Sequence, residues 1–263
     1  MKIVKNSAVI TGAGSGLGAA VARMLAAEGA RVGLLDTNMD RVGVLAEELG
    51  GVAAYGDVSD ASAAATAVEL IAEKNGFPRI LVHCAGITIG RVPLVGGDRE
   101  MRFTKFDKVM RINLNGTLNM ISLVAEQMVK LEPLEQGERG VIILTASFAA
   151  YEGQVGMSAY SASKGGVVSL ILPCARELAA YGIRVNAVAP GYFNTPLLEG
   201  LPDWVRSGLA ASYVYPKRMG EAPEYAQLVM HMIHNTMLNG ETIRLDGAMR
   251  LPPSFAQPGF QEG

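Results

Sequence analysis

The sequence predicts an α/β fold: one doubly wound parallel sheet of about seven strands, with helices on both faces. Three observations predict it. Short apolar runs alternate with longer amphipathic stretches from end to end. A glycine-rich turn joins the first run to the first helical pattern, and an acidic residue, Asp36, closes the second run. Compact apolar runs suit parallel strands covered on both faces, and their alternation with helices calls for right-handed crossovers.

In chain order the strands are read at Ser7–Thr11, Arg31–Asp36, Val52–Tyr55, Ile80–Cys84, Val141–Thr145, Arg184–Ala189 and Glu241–Leu245. Helices are read at Leu17–Glu28, Asp40–Leu49, Ala61–Lys74, Phe106–Lys130, Ser158–Tyr181 and Glu224–Asn235, with a kink expected at Pro173. Two Gly- and Pro-punctuated segments, 90–104 and 192–223, are read as long loops at strand ends, where loops are commonly functional. The second is the expected substrate loop, and the tail after Leu251 an extended or docking arm. No linker or repeat divides the chain, so a single domain over residues 1–263 is expected.

At 263 residues, 49% hydrophobic and 18% charged, the chain can bury one sizeable core. A net charge of −2 without a basic block gives nucleic acid or an anionic membrane no obvious purchase. Cys84 and Cys174 are far apart and in no metal spacing, which reads as two reduced, buried thiols and no metal site. The N-terminal residues lead directly into a strand, and no run of about twenty apolar residues occurs. A soluble, cytoplasmic protein is expected.

The turn Thr11-Gly12-Ala13-Gly14-Ser15-Gly16-Leu17-Gly18 joins a strand to a helix. Glycines there bring bare backbone N–H groups to a pyrophosphate at the helix N-terminus, although tight turns and close packing also need glycine. Position favours the first use. Asp36 offers a carboxylate to ribose hydroxyls and repels a 2′-phosphate, and Thr37 follows it where an arginine would serve NADP. Arg41 is expected on the next helix, facing solvent. Asp36 also suits a plain turn before Asn38. The spacing favours NAD.

Tyr160 and Lys164 stand four apart in a helical pattern, hence on one face. A phenol near pKa 10 is a poor base at neutral pH, and a neighbouring ammonium would lower it. Ser147, just past the fifth strand, can orient a substrate oxygen or merely cap a turn. Asn113, mid-helix, can hold a water or the lysine, or bond locally. His83 reads as a core histidine.

Together these residues resemble the short-chain dehydrogenase/reductase family, in order, from Ser7 to about Pro252. The resemblance implies a single-domain Rossmann fold and a catalytic tetrad of Asn113, Ser147, Tyr160 and Lys164. It implies cofactor contacts from Gly12, Ser15, Gly16, Leu17 and Gly18, from Asp36, and from Asp57 and Val58. Cys84, Ala85 and Gly86 follow, with Tyr160 and Lys164 again, then Pro190, Gly191, Phe193 and Thr195. In that family the tyrosine exchanges the hydroxyl proton, the serine polarises the substrate oxygen, the lysine binds ribose and the asparagine anchors a relay water. One departure is His83-Cys84-Ala85-Gly86, where the family has Asn-Asn-Ala-Gly; Cys84 reads as a small filler ahead of a redox group.

Several stretches are similar to the subgroup of type II 3-hydroxyacyl-CoA dehydrogenases: Tyr151–Gly156, Tyr160–Gly166, Leu238–Glu241 and Arg244–Ala248. That similarity implies an acyl-CoA substrate held by Ser147, Gln154 and Tyr160, and a homotetramer formed through the two long helices. Arg91, Arg99, Arg102 and Lys105 suit either CoA phosphates or a solvated loop. Competing readings are an NADPH-dependent 3-oxoacyl reductase, a steroid or other alcohol dehydrogenase, and a non-catalytic dinucleotide-binding scaffold.

Overall fold

The computed structural model describes residues 1–198 and 202–251; the arm expected after Leu251 lies outside them. Seven parallel strands form one sheet: β1 (Ser7–Thr11), β2 (Arg31–Asp36), β3 (Val52–Tyr55), β4 (Pro78–His83), β5 (Gly140–Thr145), β6 (Ile183–Pro190) and, crossing back last, Thr242–Leu245. The spatial order runs β3-β2-β1-β4-β5-β6 and ends on that last strand, so the chain reverses direction across the sheet between β1 and β4. This is a single Rossmann-like α/β domain, and the reversal is where such sheets open a ligand crevice at the strands' carboxyl ends.

One face is covered by α1 (Gly16–Ala27), α2 (Met39–Leu49) and a helix at Ala222–His234; the other by α3 (Ala61–Asn75), a long broken helix and a helix at Ser158–Ala179. Every residue of β1 and β6 is buried, the polar Arg184 and Asn186 of β6 included, so their apolar residues are not confined to alternate positions.

Three expectations are corrected. Residues 99–104 are helical: α4 (Arg99–Met110) starts under an Asp98 cap whose carboxylate accepts from the Glu100 and Met101 N–H groups. Its exposed, highly charged first turns carry little apolar period, which hid it. The helix expected at Phe106–Lys130 is also not regular, because a π-helical turn, Arg111–Asn115, joins α4 to α5 (Gly116–Met128). Segment 192–223 is not bare loop. It holds β7 (Phe193–Asn194), α7 (Asp203–Ala211) and β8 (Gly220–Glu221), with β7 and β8 paired in parallel.

After these come α8 (Ala222–His234) and β9 (Thr242–Leu245), and the Ser158–Ala179 helix is α6, running unbroken through Pro173. Both cysteines are free and half-buried, with less burial than expected. Among the described residues, no helix is long and apolar enough to cross a membrane, and no three His, Cys, Asp or Glu side chains gather as a metal cluster.

Candidate active site

A cleft of about 890 Å³ opens at the carboxyl ends of β1, β4, β5 and β6. Every residue expected to touch cofactor or substrate lines it, from Gly12 through Thr195; of the tetrad only Asn113 does not.

The β1–α1 turn forms one wall. Gly12 sits at φ +63°, and an added Cβ would stand 2.8 Å from the Ala85 nitrogen. A Cβ on Gly18 would stand 2.3 Å from the Gly12 carbonyl oxygen. Both glycines therefore keep backbone against backbone. Ser15 leaves the start of α1 without a side-chain cap and no acid lies in the first turn, so its free N–H groups face the cleft. Such a terminus receives anions, and the residues present fit a dinucleotide.

Asp36 sits at the end of β2 with its carboxylate aimed by two backbone donors, Gly14 N–H at 2.9 Å and Asn38 N–H at 3.0 Å. It closes a turn and also lines the cleft; the two uses coexist. Arg41 lies on α2, exposed, as expected. Asp57 accepts from the Ser59 N–H and hydroxyl, which leaves the preceding cleft wall fixed.

The β4 turn is held by Thr11. Its hydroxyl oxygen accepts from the Cys84 and Ala85 N–H groups, both at 3.1 Å, and lies 2.8 Å from His83 Nδ1. With two donors arriving, the hydroxyl proton goes to Nδ1, which assigns His83 the neutral tautomer protonated at Nε2. Burial first, and the Lys164 charge second, lower the imidazole to about 3. His83 is a core residue, and the strand ends on it, so Cys84 belongs to the turn and the cleft. Burial pushes the Cys84 thiol up, the state of an inert filler.

Asn113 is fully buried in the π-helical turn. Its Oδ1 accepts from Ile87 N–H at 2.8 Å, and its Nδ2 donates to Ile87 O at 2.9 Å and to Ser163 Oγ at 3.1 Å. The amide bonds residues distant along the chain and does not bond locally: it ties the segment after β4 to α6 and lies outside the cleft.

Ser147 follows β5 in extended conformation and is itself buried. It caps a short 3-10 turn by accepting from Ala149 N–H at 3.2 Å, and its hydroxyl lowers the Tyr160 phenol pKa against the effect of burial. Tyr160 and Lys164 lie one turn apart on α6. The lysine ammonium donates to Thr145 O at 2.7 Å and stands 5.9 Å from the Tyr160 ring centre. Burial lowers Lys164 from 10.5 to about 8.

The expected lowering of the phenol by Lys164 is not present in the protein alone. Burial raises Tyr160, the neighbouring Ser147 hydroxyl opposes that, and the ammonium is turned to the Thr145 carbonyl.

Sequence reasoning missed three contributors. The Tyr192 ring packs on Phe148, centroids 5.0 Å apart, and its hydroxyl donates to Gln154 Oε1 at 3.2 Å, which fixes the wall where substrate was expected. Thr145 donates its hydroxyl to His83 O and lies 2.7 Å from the hydroxyl of the fully buried Tyr225. Because the Thr145 proton goes to a carbonyl, Tyr225 donates to Thr145, pinning α8 to the residue that holds Lys164. Glu152 lines the same wall and is bound to Arg244 at 2.6 Å. None of these leaves a mark in local spacing. Of the four loop cations, only Arg91 lines the cleft; the Arg102 guanidinium instead donates to the Leu94 carbonyl.

Residues 6–206 match the short chain dehydrogenase family. The chain is 47% identical over 249 residues to the 3-hydroxyacyl-CoA dehydrogenase type-2 of Bos taurus, covering 94% of this chain and 95% of the relative. The Homo sapiens protein of that name is also 47% identical, with the same coverage. Among solved structures, the 3-hydroxyacyl-CoA dehydrogenase type-2 from Mycobacterium avium superposes with a TM-score of 0.89 at 38% identity, over 95% of this chain and 98% of that one.

Proposed function

We propose, because the chain belongs to the short-chain dehydrogenase family, that this oxidoreductase uses NAD to convert 3-hydroxyacyl-CoA to 3-oxoacyl-CoA, with Tyr160 as acid–base. The observation that carries this reading is that Ser147, Tyr160 and Lys164 line one cleft together with the glycine turn. The acyl-CoA assignment draws on the names of relatives sharing 43–47% of their residues with this chain.

Nicotinamide, when bound, supplies the hydride acceptor. The protein's own residues manage the proton and the geometry. Ser147 and Tyr160 both reach the substrate oxygen, the serine orienting it and the phenolate taking the hydroxyl proton. Lys164, with a pKa near 8, exchanges its own proton easily near neutrality and stabilises the phenolate when it turns from Thr145 O. Asn113 holds the backbone behind it. Phe148, Tyr192 and Met157 give the substrate end apolar walls that suit an acyl chain, and Gln154 lies among them.

NAD is preferred over NADP because the Asp36 carboxylate is already aimed by Gly14 and Asn38 and would meet a 2′-phosphate with like charge. That same feature weighs against a 3-oxoacyl reductase running on NADPH. A homotetramer suits the exposed apolar side chains of α4, α5 and α6, among them Phe103, Leu118 and Leu172. A reducing, cytoplasmic setting suits the two free cysteines.

Tyr160→Phe separates an enzyme from a scaffold. Its kcat with 3-hydroxybutyryl-CoA is expected to fall by about 10²–10⁴-fold, while NAD binding, measured by calorimetry, stays within about threefold of wild type. Unchanged turnover would remove Tyr160 from the chemistry.

A further inference from the structure

Besides the catalytic Lys164, three cations line the cleft: Arg91, Lys108 and Arg111. Lys108 and Arg111 stand on α4 and the π-helical turn, the element whose continuation packs on the Asp57–Val58 wall, where Asn119 Nδ2 donates to Val58 O at 2.9 Å. Arg91 stands at the other end. The N–H of the next residue, Val92, donates to Gly156 O at 2.8 Å, and an added Cβ on Gly156 would come within 2.9 Å of the Arg91 Cβ. Gly156, at φ +79°, admits that approach. The arginine is thereby pinned by its backbone to the loop that carries Gln154. Its charge bears on the Tyr192 phenol, opposing the rise to about 12 that burial causes, and that phenol bonds Gln154.

Arg91 also has no counter-ion among the described residues. The acid at its end of the cleft, Glu152, is committed to Arg244 at 2.6 Å, to Arg250 at 3.3 Å and to the Leu251 N–H at 3.2 Å. An unpaired guanidinium at the rim of an apolar pocket, remote from the Asp57 wall, suits an anion brought by the substrate and not one brought by the dinucleotide.

We propose that Arg91 binds the phosphate of a phosphopantetheine thioester whose acyl end lies between Tyr192 and Tyr160. This rests on the acyl-thioester reading above and deepens it. The acyl chain and sulfur enter the apolar pocket, the pantetheine amides cross the rim, and the phosphate meets a planar, permanently charged fork able to bind it through two N–H groups. Coenzyme A and an acyl carrier protein share this phosphate, so the contact selects the arm and is indifferent to what the arm is attached to.

The test is Arg91→Gln in the full chain, with Arg99→Gln as the charge-matched control because Arg99 lies outside the cleft. Each is assayed with NAD and three 3-hydroxybutyryl thioesters: those of CoA, of 4′-phosphopantetheine and of N-acetylcysteamine, which has no phosphate. The KM for the first two is expected to rise by about tenfold in Arg91→Gln alone, with kcat, the N-acetylcysteamine KM and the NAD KM unchanged. An equal change for all three thioesters, or none for the phosphorylated pair, overturns the proposal while leaving the dehydrogenase reading in place. A rise for the CoA thioester only would move the contact to the nucleotide part and overturn the pantetheine phosphate assignment. If wild type turns over none of the three while binding NAD, the acyl-thioester reading fails first and takes this proposal with it.

Discussion

Lys164 carries a stability cost that the structure allows to be estimated and measured. It is 5% exposed, and burial lowers its pKa from 10.5 to about 8. The folded protein therefore releases this proton near pH 8, whereas the unfolded chain holds it until 10.5. Between those values the unfolded state binds more protons, so stability rises with pH. The drop corresponds to about 3 kcal/mol at about 1.4 kcal/mol per pH unit, of which about 2 kcal/mol is regained by pH 9.5.

Lys164→Met removes the titrating group and keeps the length of the side chain. The lost bond to Thr145 O costs the variant equally at every pH. The wild type should then gain about 2 kcal/mol on the variant between pH 7 and 9.5, about 4–8 °C in relative melting temperature. Neighbouring groups do not interfere in this window. His83 is neutral throughout, and burial holds the Cys84 and Tyr160 protons on. The assay is thermal unfolding of both proteins, without nucleotide, at half-unit pH steps. A gap that stays constant across the series, or that moves in the variant's favour, would refute burial as the source of the lysine's proton affinity.

Two further outcomes follow from the site. Thr145→Val strips the acceptor from the buried Tyr225 hydroxyl and a donor from His83 O, and should cost about 2–4 kcal/mol by denaturant unfolding; a loss below about 0.5 kcal/mol would mean that Tyr225 finds another partner. Gly18→Ala places a Cβ 2.3 Å from the Gly12 carbonyl and should weaken NAD by at least about 100-fold in calorimetry with the circular dichroism unchanged, whereas wild-type affinity would show that the turn relaxes freely.

Much of this was legible in the residues because each legible feature is local. The β1 and β6 runs carry apolar residues on both sides since both faces are covered, and the glycine turn and Asp36 fall at strand ends where backbone geometry demands them. Tyr160 and Lys164 needed only the helical period. What escaped the sequence depends on contacts far along the chain. The π-helical turn at Asn113 is stabilised by Ile87 and Ser163, 26 and 50 residues away, and so leaves no periodic trace. Thr145 meets Tyr225 across 80 residues. Tyr225 sits on an apolar helix face, and nothing in its spacing distinguishes a bonded phenol from a packed one. Arg91 was one of four interchangeable loop cations until Gly156 fixed it at the cleft. The Tyr160 phenol went astray for a related reason: spacing gives the distance to Lys164 but not the direction of its ammonium.

The most direct test of the central claim is the initial rate of nicotinamide reduction by 3-hydroxybutyryl-CoA, with NAD and NADP in parallel. The account predicts turnover with NAD and a kcat/KM at least about 100-fold lower with NADP, as expected where Asp36 meets the ribose hydroxyls. Preference for NADP, or no turnover from a protein that still binds NAD, would contradict it.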